Sequence, residues 1–448
     1  MTNSQTTPAK RAAAIPAIVV GAGYVGVATA VGLAERGHPV TLVERDPARL
    51  SVLAAGAIPF HEPELPAAYA AQFARGMICP NESVPTLTGA LAIVCVGTPI
   101  NDTGTTETSQ VEAALDDIVR ADGGIVAYVI RSTLPVGSVT RLARRPGVQT
   151  DRLFVAPEFL RQGTALADIR RPSRVVIGCA AQDPDLEALE LVTGALGHED
   201  ATTLVMRAEE ASLVKNASNV YLALRLTFAN EVATVAEDLG VDVGPVLEGI
   251  GLDPRIGSAY LRPSYGFGGS CLPKEVRSLS TAGLDLGLPM HLARAISEAN
   301  DDHQRRFARR IAEAVGGLAG KRIALLGLAF KADTDDVRSS PSIRLAARLL
   351  ASGADVHAHD PAAGPNAQRL LPELSIEPTP EAALQGAHAA VIATEWPIYR
   401  NLEWAAARDT MEEPVILDGR RILDAARLGS LGFRYHRIGD GSDPSSGY

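Results

Sequence analysis

Residues 14–44 read AIPAIVVGAGYVGVATAVGLAERGHPVTLVE, and most of the architecture can be worked out from them. An apolar run at 14–20 meets GAGYVG at once. An Ala/Val-rich helical stretch then runs to Arg36, Gly37 stops it, and residues 39–43 make a second strand. That is a β–turn–α–β unit within about 30 residues. Gly21, Gly23 and Gly26 permit a tight turn and close approach of a diphosphate to the N-terminus of the helix, which starts around Tyr24 and Val25. Glu44 ends the second strand, 21 residues after Gly23. A carboxylate there accepts from ribose hydroxyls and repels a 2′-phosphate, which favours NAD over NADP. Arg45 beside it pulls the other way, and the bland alternative is a glycine-rich structural turn.

Outward from this unit, further strand-like runs are 91–96, 125–130, 153–155 and 174–179, with helical stretches between several of them. This cadence predicts a doubly wound parallel sheet. Residues 209–239 are long, free of Gly and Pro and apolar at helical spacing, broken by Gly240; helical character resumes over 289–315. A strand at 322–326 followed by Gly327 then opens a second α/β region, with later strands at 355–359, 389–393 and 415–417. It has no second GxGxxG, which suggests a sheet that holds something other than a dinucleotide. The expected class is α/β: two Rossmann-like doubly wound parallel-sheet domains joined by a central helical region with a long helix. The expected domains are 13–204, 205–315 and 316–440.

A chain of 448 residues is long enough for two or three cores. Its 46% apolar and 21% charged residues are ordinary for a soluble protein, and a net charge of −10 argues against nucleic acid or an anionic membrane as partner. No run of about 18 apolar residues exists to span a membrane. Residues 1–12 lack the apolar core of a signal peptide, so a cytoplasmic chain is expected, with a disordered lead and a loose tail at 439–448. The four cysteines, Cys79, Cys95, Cys179 and Cys271, have no metal-ligand spacing, so no metal is expected. Lys10, Lys215, Lys274, Lys321 and Lys331 are the only lysines, leaving 37 of the 42 basic residues as arginine. Such scarcity suggests that lysine is kept where guanidinium will not serve.

Cys95 lies near the end of the strand-like run 91–96 and Cys179 ends the run 174–179; both read as core residues, and Cys79 reads as structural. Cys271 lies in YGFGGSCLPKE, residues 265–275. Three glycines before a thiol let backbone approach a ligand, and Lys274 can favour the thiolate. This loop resembles the active-site signature of the UDP-glucose/GDP-mannose 6-dehydrogenase family. The resemblance continues in order through GAGYVG, CVGTP at 95–99, RSTLPVG at 131–137, APEFLRQG at 156–163 and LVKNASN at 213–219. It ends with RIG at 255–257, LAFKADTDDVRSSP at 328–341 and DGR at 418–420.

The resemblance implies two successive hydride transfers to NAD, taking a hexose C6 from alcohol to carboxylate through a thiohemiacetal and a thioester on Cys271. Lys215 and Asn219, one helical turn apart, would stabilise the oxyanion. Glu158 would act as acid–base group through a water placed by Thr133, and Glu275 would complete the catalytic set. Arg49, Val96, Gly97, Thr98, Ser132, Thr133, Lys274 and Arg338 would join Gly21, Gly23, Tyr24, Val25, Gly26 and Glu44 around the cofactor. Substrate contacts would come from Glu158, Phe159, Leu160, Gln162, Lys215, Asn219, Tyr260, Leu261, Tyr265, Phe267, Gly268, Phe330, Lys331 and Arg420. Arg255 would reach a neighbouring subunit, which implies a homodimer or higher homo-oligomer. Ala156, Gln162, Ser212 and Glu275 depart from the family's usual Asn, Glu, Glu and Asp. RIG resembles the UDP-glucose branch, which makes UDP-glucose the first expectation and dTDP-glucose or GDP-mannose the alternatives. Rival classes are a two-electron β-hydroxyacid-type dehydrogenase and a non-catalytic nucleotide-sugar sensor.

Overall fold

A computed structural model describes residues 5–6, 14–101, 104–121 and 123–441. The chain divides into two compact units, Met1–Ser218 with Ser278–Pro289, and Asn219–Arg277 with Met290–Tyr448. The first unit holds a nine-stranded sheet: β1 (Gln5–Thr6), β2 (Ala17–Val20), β3 (Val40–Val43), β4 (Ile78–Asn81), β5 (Leu91–Val94), β6 (Ala127–Ile130), β7 (Leu153–Val155), β8 (Arg174–Cys179) and β9 (Thr202–Arg207). Their spatial order is β1-β9-β8-β7-β6-β5-β2-β3-β4. From β4 to β7 every neighbouring pair is parallel, and chain order reverses between β2 and β5. That reversal is the switch point at which doubly wound sheets bind ligands. β2, β5 and β6 are buried along their whole length, as strands covered on both faces by helices must be.

The second unit holds a six-stranded sheet, parallel throughout: β10 (Arg322–Leu326), β11 (Asp355–His359), β12 (Ser375–Ile376), β13 (Ala389–Ile392), β14 (Val415–Asp418) and β15 (Arg434–Arg437), ordered β12-β11-β10-β13-β14-β15. Between the two sheets in sequence come the long helix Ala208–Asp238 and the helices Val243–Gly251, Leu272–Asp285 and His291–Ala314. Glu209 and Glu210 in the first turn of the long helix suit its dipole, and Gly240, with φ +71°, ends it in the left-handed conformation.

Four local features differ from expectation. β8 runs antiparallel to β7, so the parallel run from β4 to β7 is interrupted there, and β9 then pairs parallel with β8. β4 was not expected: its sequence, Ile78-Cys79-Pro80-Asn81, sits at a sheet edge, where proline costs no ladder bond. Gln5 and Thr6 of the expected disordered lead pair with β9 as a strand, while residues 1–4 and 7–12 lie outside the described residues. In the expected loose tail, Gly439 N–H donates to Glu237 at 2.7 Å and Arg437 pairs with Asp440 at 2.7 Å; residues 442–448 lie outside the described residues. No helix among the described residues is long and apolar enough to cross a membrane.

Candidate active site

β2 delivers the chain to Gly21, whose φ of +98° is open to glycine and strained for any other residue. A Cβ on Gly26 would collide with the Gly21 carbonyl oxygen, so the helix Tyr24–Glu35 can begin this close to the strand only with glycine there. Gly23 caps that helix with no side-chain hydrogen bond and with open space at its α-carbon. The orphan N–H groups of the first turn are thus left for an anion, and this turn fits the diphosphate of a dinucleotide. Glu44 follows β3; its carboxylate accepts from Asp46 N–H at 3.0 Å and has the Arg49 guanidinium 3.6 Å away. Arg49 also donates to the Ala22 carbonyl at 3.0 Å, tying the acid to the turn. Arg45 is turned to an ion pair with Asp117, which removes it as a counter-signal to NAD. Ser132 donates to the Val96 carbonyl at 2.7 Å and so joins the ends of β5 and β6, beside Gly97 and buried Thr98.

The same unit buries an ion pair. Lys215, 4% exposed, donates from Nζ to the Glu158 carbonyl at 2.6 Å and its carboxylate at 3.2 Å. The other Glu158 oxygen accepts from Leu160 N–H at 2.6 Å. Phe159 lies under the Arg174 guanidinium at 3.8 Å and 5.4 Å from Lys215 Nζ. The surrounding loops are held by residues that the sequence reading passed over. Glu62, 1% exposed, accepts from Gly163 and Ala165, which fixes the segment carrying half-buried Gln162. Asn216 donates to the Leu134 carbonyl at 3.0 Å, and Glu209 accepts from Gly137 and Thr140, which fixes the segment carrying Thr133. Ser212, where the family carries Glu, donates back to the Ala208 carbonyl within its own helix. Nothing local in HEPEL at 61–65 or AEEA at 208–211 marks Glu62 or Glu209 as a loop anchor.

In the second unit Cys271 immediately precedes the helix Leu272–Asp285, and its carbonyl accepts from Glu275 N–H at 2.9 Å. Its sulfur, 3.7 Å from Ser270 Oγ, therefore stands at the positive end of a helix dipole, where negative charge is stabilised. Lys274 is half-buried in the first turn. Glu275 is fully buried and accepts from Asn219 Nδ2 at 2.7 Å. A Cβ on Gly269, φ +88°, would lie 2.8 Å from the Phe330 ring, so the loop before the thiol lies directly on Phe330. Lys331 Nζ sits 5.8 Å over the same ring. Arg420 donates to the Ala393 carbonyl at 2.7 Å and the Phe330 carbonyl at 3.3 Å. Asn300 clamps Phe267 through both its N–H and its carbonyl. Arg338 forks onto Asp336 and is close enough to Cys271 to feel its charge.

Some expected contacts take other forms. Tyr265 is fully buried, with its hydroxyl on Ser342 and the Ala393 carbonyl, because its ring fills the space under Arg420; it is a strut for the loop and presents no ligand face. Leu261 and Phe267 are buried, a Cβ on Gly268 would collide with the Ser339 carbonyl oxygen, and Tyr260 holds φ +61°, a strained value for a non-glycine residue. Arg255 is exposed and pairs with Asp253 at 2.6 Å. Lys321 pairs with Glu413 at 3.1 Å, and neither belongs to an expected site motif, so scarcity alone does not mark a lysine as functional. Burial pushes the Cys95 thiol up to about 12 and the Cys179 thiol up to about 11, fitting their core assignment, whereas Cys79 is exposed on the edge strand.

Three family models match in succession: the NAD-binding domain of the UDP-glucose/GDP-mannose dehydrogenase family over residues 16–192, its central domain over 209–302 and its UDP-binding domain over 324–425. The UDP-glucose 6-dehydrogenase of Rhizobium meliloti (strain 1021) is 37% identical over 94% of this chain and 98% of its own length. That of Pseudomonas aeruginosa PAO1 is 36% identical over 94% and 96%. The solved UDP-glucose dehydrogenase from Pyrobaculum islandicum superposes with a TM-score of 0.86 at 35% identity, covering 96% of this chain and 98% of that one. With the open glycine turn and Glu44 already in place, these matches over nearly its whole length make the chain a member of the UDP-glucose/GDP-mannose dehydrogenase family, an NAD-dependent nucleotide-sugar dehydrogenase.

Proposed function

We propose that the chain oxidises C6 of UDP-glucose to the uronic acid in two two-electron steps through a covalent intermediate on Cys271. The observation that carries the reading is the contrast among the thiols: Cys95 and Cys179 are buried and pushed up, while Cys271 is half-buried at a helix N-terminus in a glycine-rich loop. When bound, NAD supplies the hydride acceptor for each step. Glu158 takes the C6 hydroxyl proton through a water placed by Thr133 as the first hydride leaves. Cys271 Sγ then adds to the aldehyde carbon, forming a thiohemiacetal and preventing escape of the aldehyde. Loss of the second hydride and of the hydroxyl proton gives the thioester; water adds, the C–S bond breaks, and the carboxylate leaves with the thiol restored. One alcohol and one water are thereby converted to a carboxylate with two hydrides and three protons released.

Lys215 and Asn219 stabilise the oxygen charge that develops at each addition. Glu275 acts by holding the Asn219 amide at 2.7 Å. Lys331, Arg420 and Arg255 are the cations that offset the diphosphate of the substrate on an otherwise acidic chain. Self-association as a homodimer is supported by Tyr221, Phe228 and Val235, exposed at seven-residue spacing on the long helix, and light scattering of the purified chain tests it. The decisive measurement is product mass and NADH yield with UDP-, dTDP- and GDP-sugars. Two NADH per UDP-glucose, with Cys271→Ser losing at least about 10³-fold in turnover yet binding substrate, is expected. One NADH without acid, full activity in the serine variant, or a clear GDP-mannose preference would reject the reading.

A further inference from the structure

At the C-terminal end of β6 the first unit buries a full positive charge. Arg131 is 8% exposed and its main-chain N–H donates to the Val94 carbonyl at 2.9 Å. Its guanidinium Nε is closed off from solvent and has no hydrogen-bond acceptor among the described residues. Burial lowers its pKa, and Cys95 and Glu158 lie close enough to act on it in the opposite sense. A guanidinium remains protonated even so. Glu158 does not neutralise it, since that carboxylate is 3.2 Å from Lys215 Nζ. Arg131 therefore stands outside the buried Lys215–Glu158 pair. Burying an unpaired cation is costly, and a protein that keeps one has a use for it.

The fold says which half of the cofactor that charge addresses. Glu44, at the end of β3, marks the adenosine ribose on the β2–β4 side of the switch point, so the nicotinamide half belongs to β5–β7. Arg131 directly follows β6, which lies between β5 and β7. Beside it is Cys95, whose carbonyl would be 2.9 Å from a Cβ on Gly21. We propose that Arg131 sets the redox preference of the site: its uncompensated charge disfavours the cationic nicotinamide ring of NAD⁺ relative to the neutral ring of NADH, and so draws hydride off the sugar. Arg131 makes and breaks no bond. Hydride transfer removes one positive charge from the ring, and a fixed cation nearby is relieved by that loss. The inference rests on the chain's use of NAD, and holds whichever nucleotide sugar is oxidised.

The test is the ratio of dissociation constants, Kd(NAD⁺)/Kd(NADH), measured on the full-length protein by NADH fluorescence titration and by NAD⁺ competition, with no turnover required. Arg131→Met is expected to lower that ratio on the order of ten-fold, the scale of removing a nearby unit charge at an effective dielectric near 20. Arg131→Lys, which keeps the charge, is expected to hold it near the wild-type value. A purely structural role weakens both forms together and leaves the ratio where it was, so an unchanged ratio in folded Arg131→Met overturns the proposal. If the methionine variant does not fold, Arg131→Gln removes the charge with a polar head retained, and the same ratio decides.

Discussion

The two sheets contain the same local device built to opposite ends. In each, a buried strand runs into a glycine turn and the next strand ends in an acid: β2, Gly21 and Glu44 in one, β10, Gly327 and Asp360 in the other. Asp360 reaches back into its own turn. One oxygen accepts from Leu328 N–H at 2.7 Å, Ala329 N–H at 3.0 Å and Trp396 Nε1 at 3.1 Å, and the other accepts from Ala362 and Ala363. The second turn is thus filled by the protein's own carboxylate. In the first, Glu44 bonds only locally, to Asp46 and toward Arg49, and the helix N-terminus at Gly23 has no side-chain cap. A dinucleotide site is a turn whose backbone donors the chain declines to satisfy itself.

That contrast can be broken at three points. Gly26→Ala forces a Cβ into the Gly21 carbonyl and is expected to abolish measurable NADH binding by fluorescence titration; ordinary affinity in this variant would show that the turn is not the cofactor's seat. Asp360→Ala strands several buried N–H donors and should cost about 2–4 kcal/mol in denaturant unfolding while leaving NADH affinity unchanged. A change in NADH affinity there would erase the distinction between the turns. Glu44→Gln should have the smallest effect, weakening NAD by roughly ten-fold and narrowing its preference over NADP, because one charge-assisted ribose contact is lost. An unaltered NAD to NADP ratio would move the specificity elsewhere.

What could be read from sequence follows how local the signal is. The glycine turn, Glu44 and the buried strands β7, β8, β10 and β11 are written in contiguous residues, and the runs at 153–155, 174–179, 322–326 and 355–359 coincide with them. The helix expected over 209–239 spans Ala208–Asp238 because its apolar spacing is unbroken until Gly240. β4 and the β1–β9 pairing were invisible, since Cys79-Pro80 reads as a loop and the partner of Gln5 lies 200 residues away at Val205. The same reason hid Glu62 and Asp360: each is an unremarkable acid until folding brings distant N–H groups to it. Lys215 and Glu158 were legible as separate motif members, but their direct contact was not, because 57 residues separate them. Arg131 was read only as part of RSTLPVG, although a charge placed directly after an apolar strand was its signal.

The differing fates of the four thiols have a practical consequence. With Cys95 and Cys179 shut away in the core, maleimide and nitroxide reagents meet two sulfurs, exposed Cys79 in the first unit and half-buried Cys271 in the second. The native chain therefore carries its own pair of attachment points, one on each unit, for a spectroscopic ruler. Because Cys271 is also the proposed nucleophile, its modification is expected to silence turnover while that of Cys79 is not, so activity tells the two labels apart without any engineered cysteine.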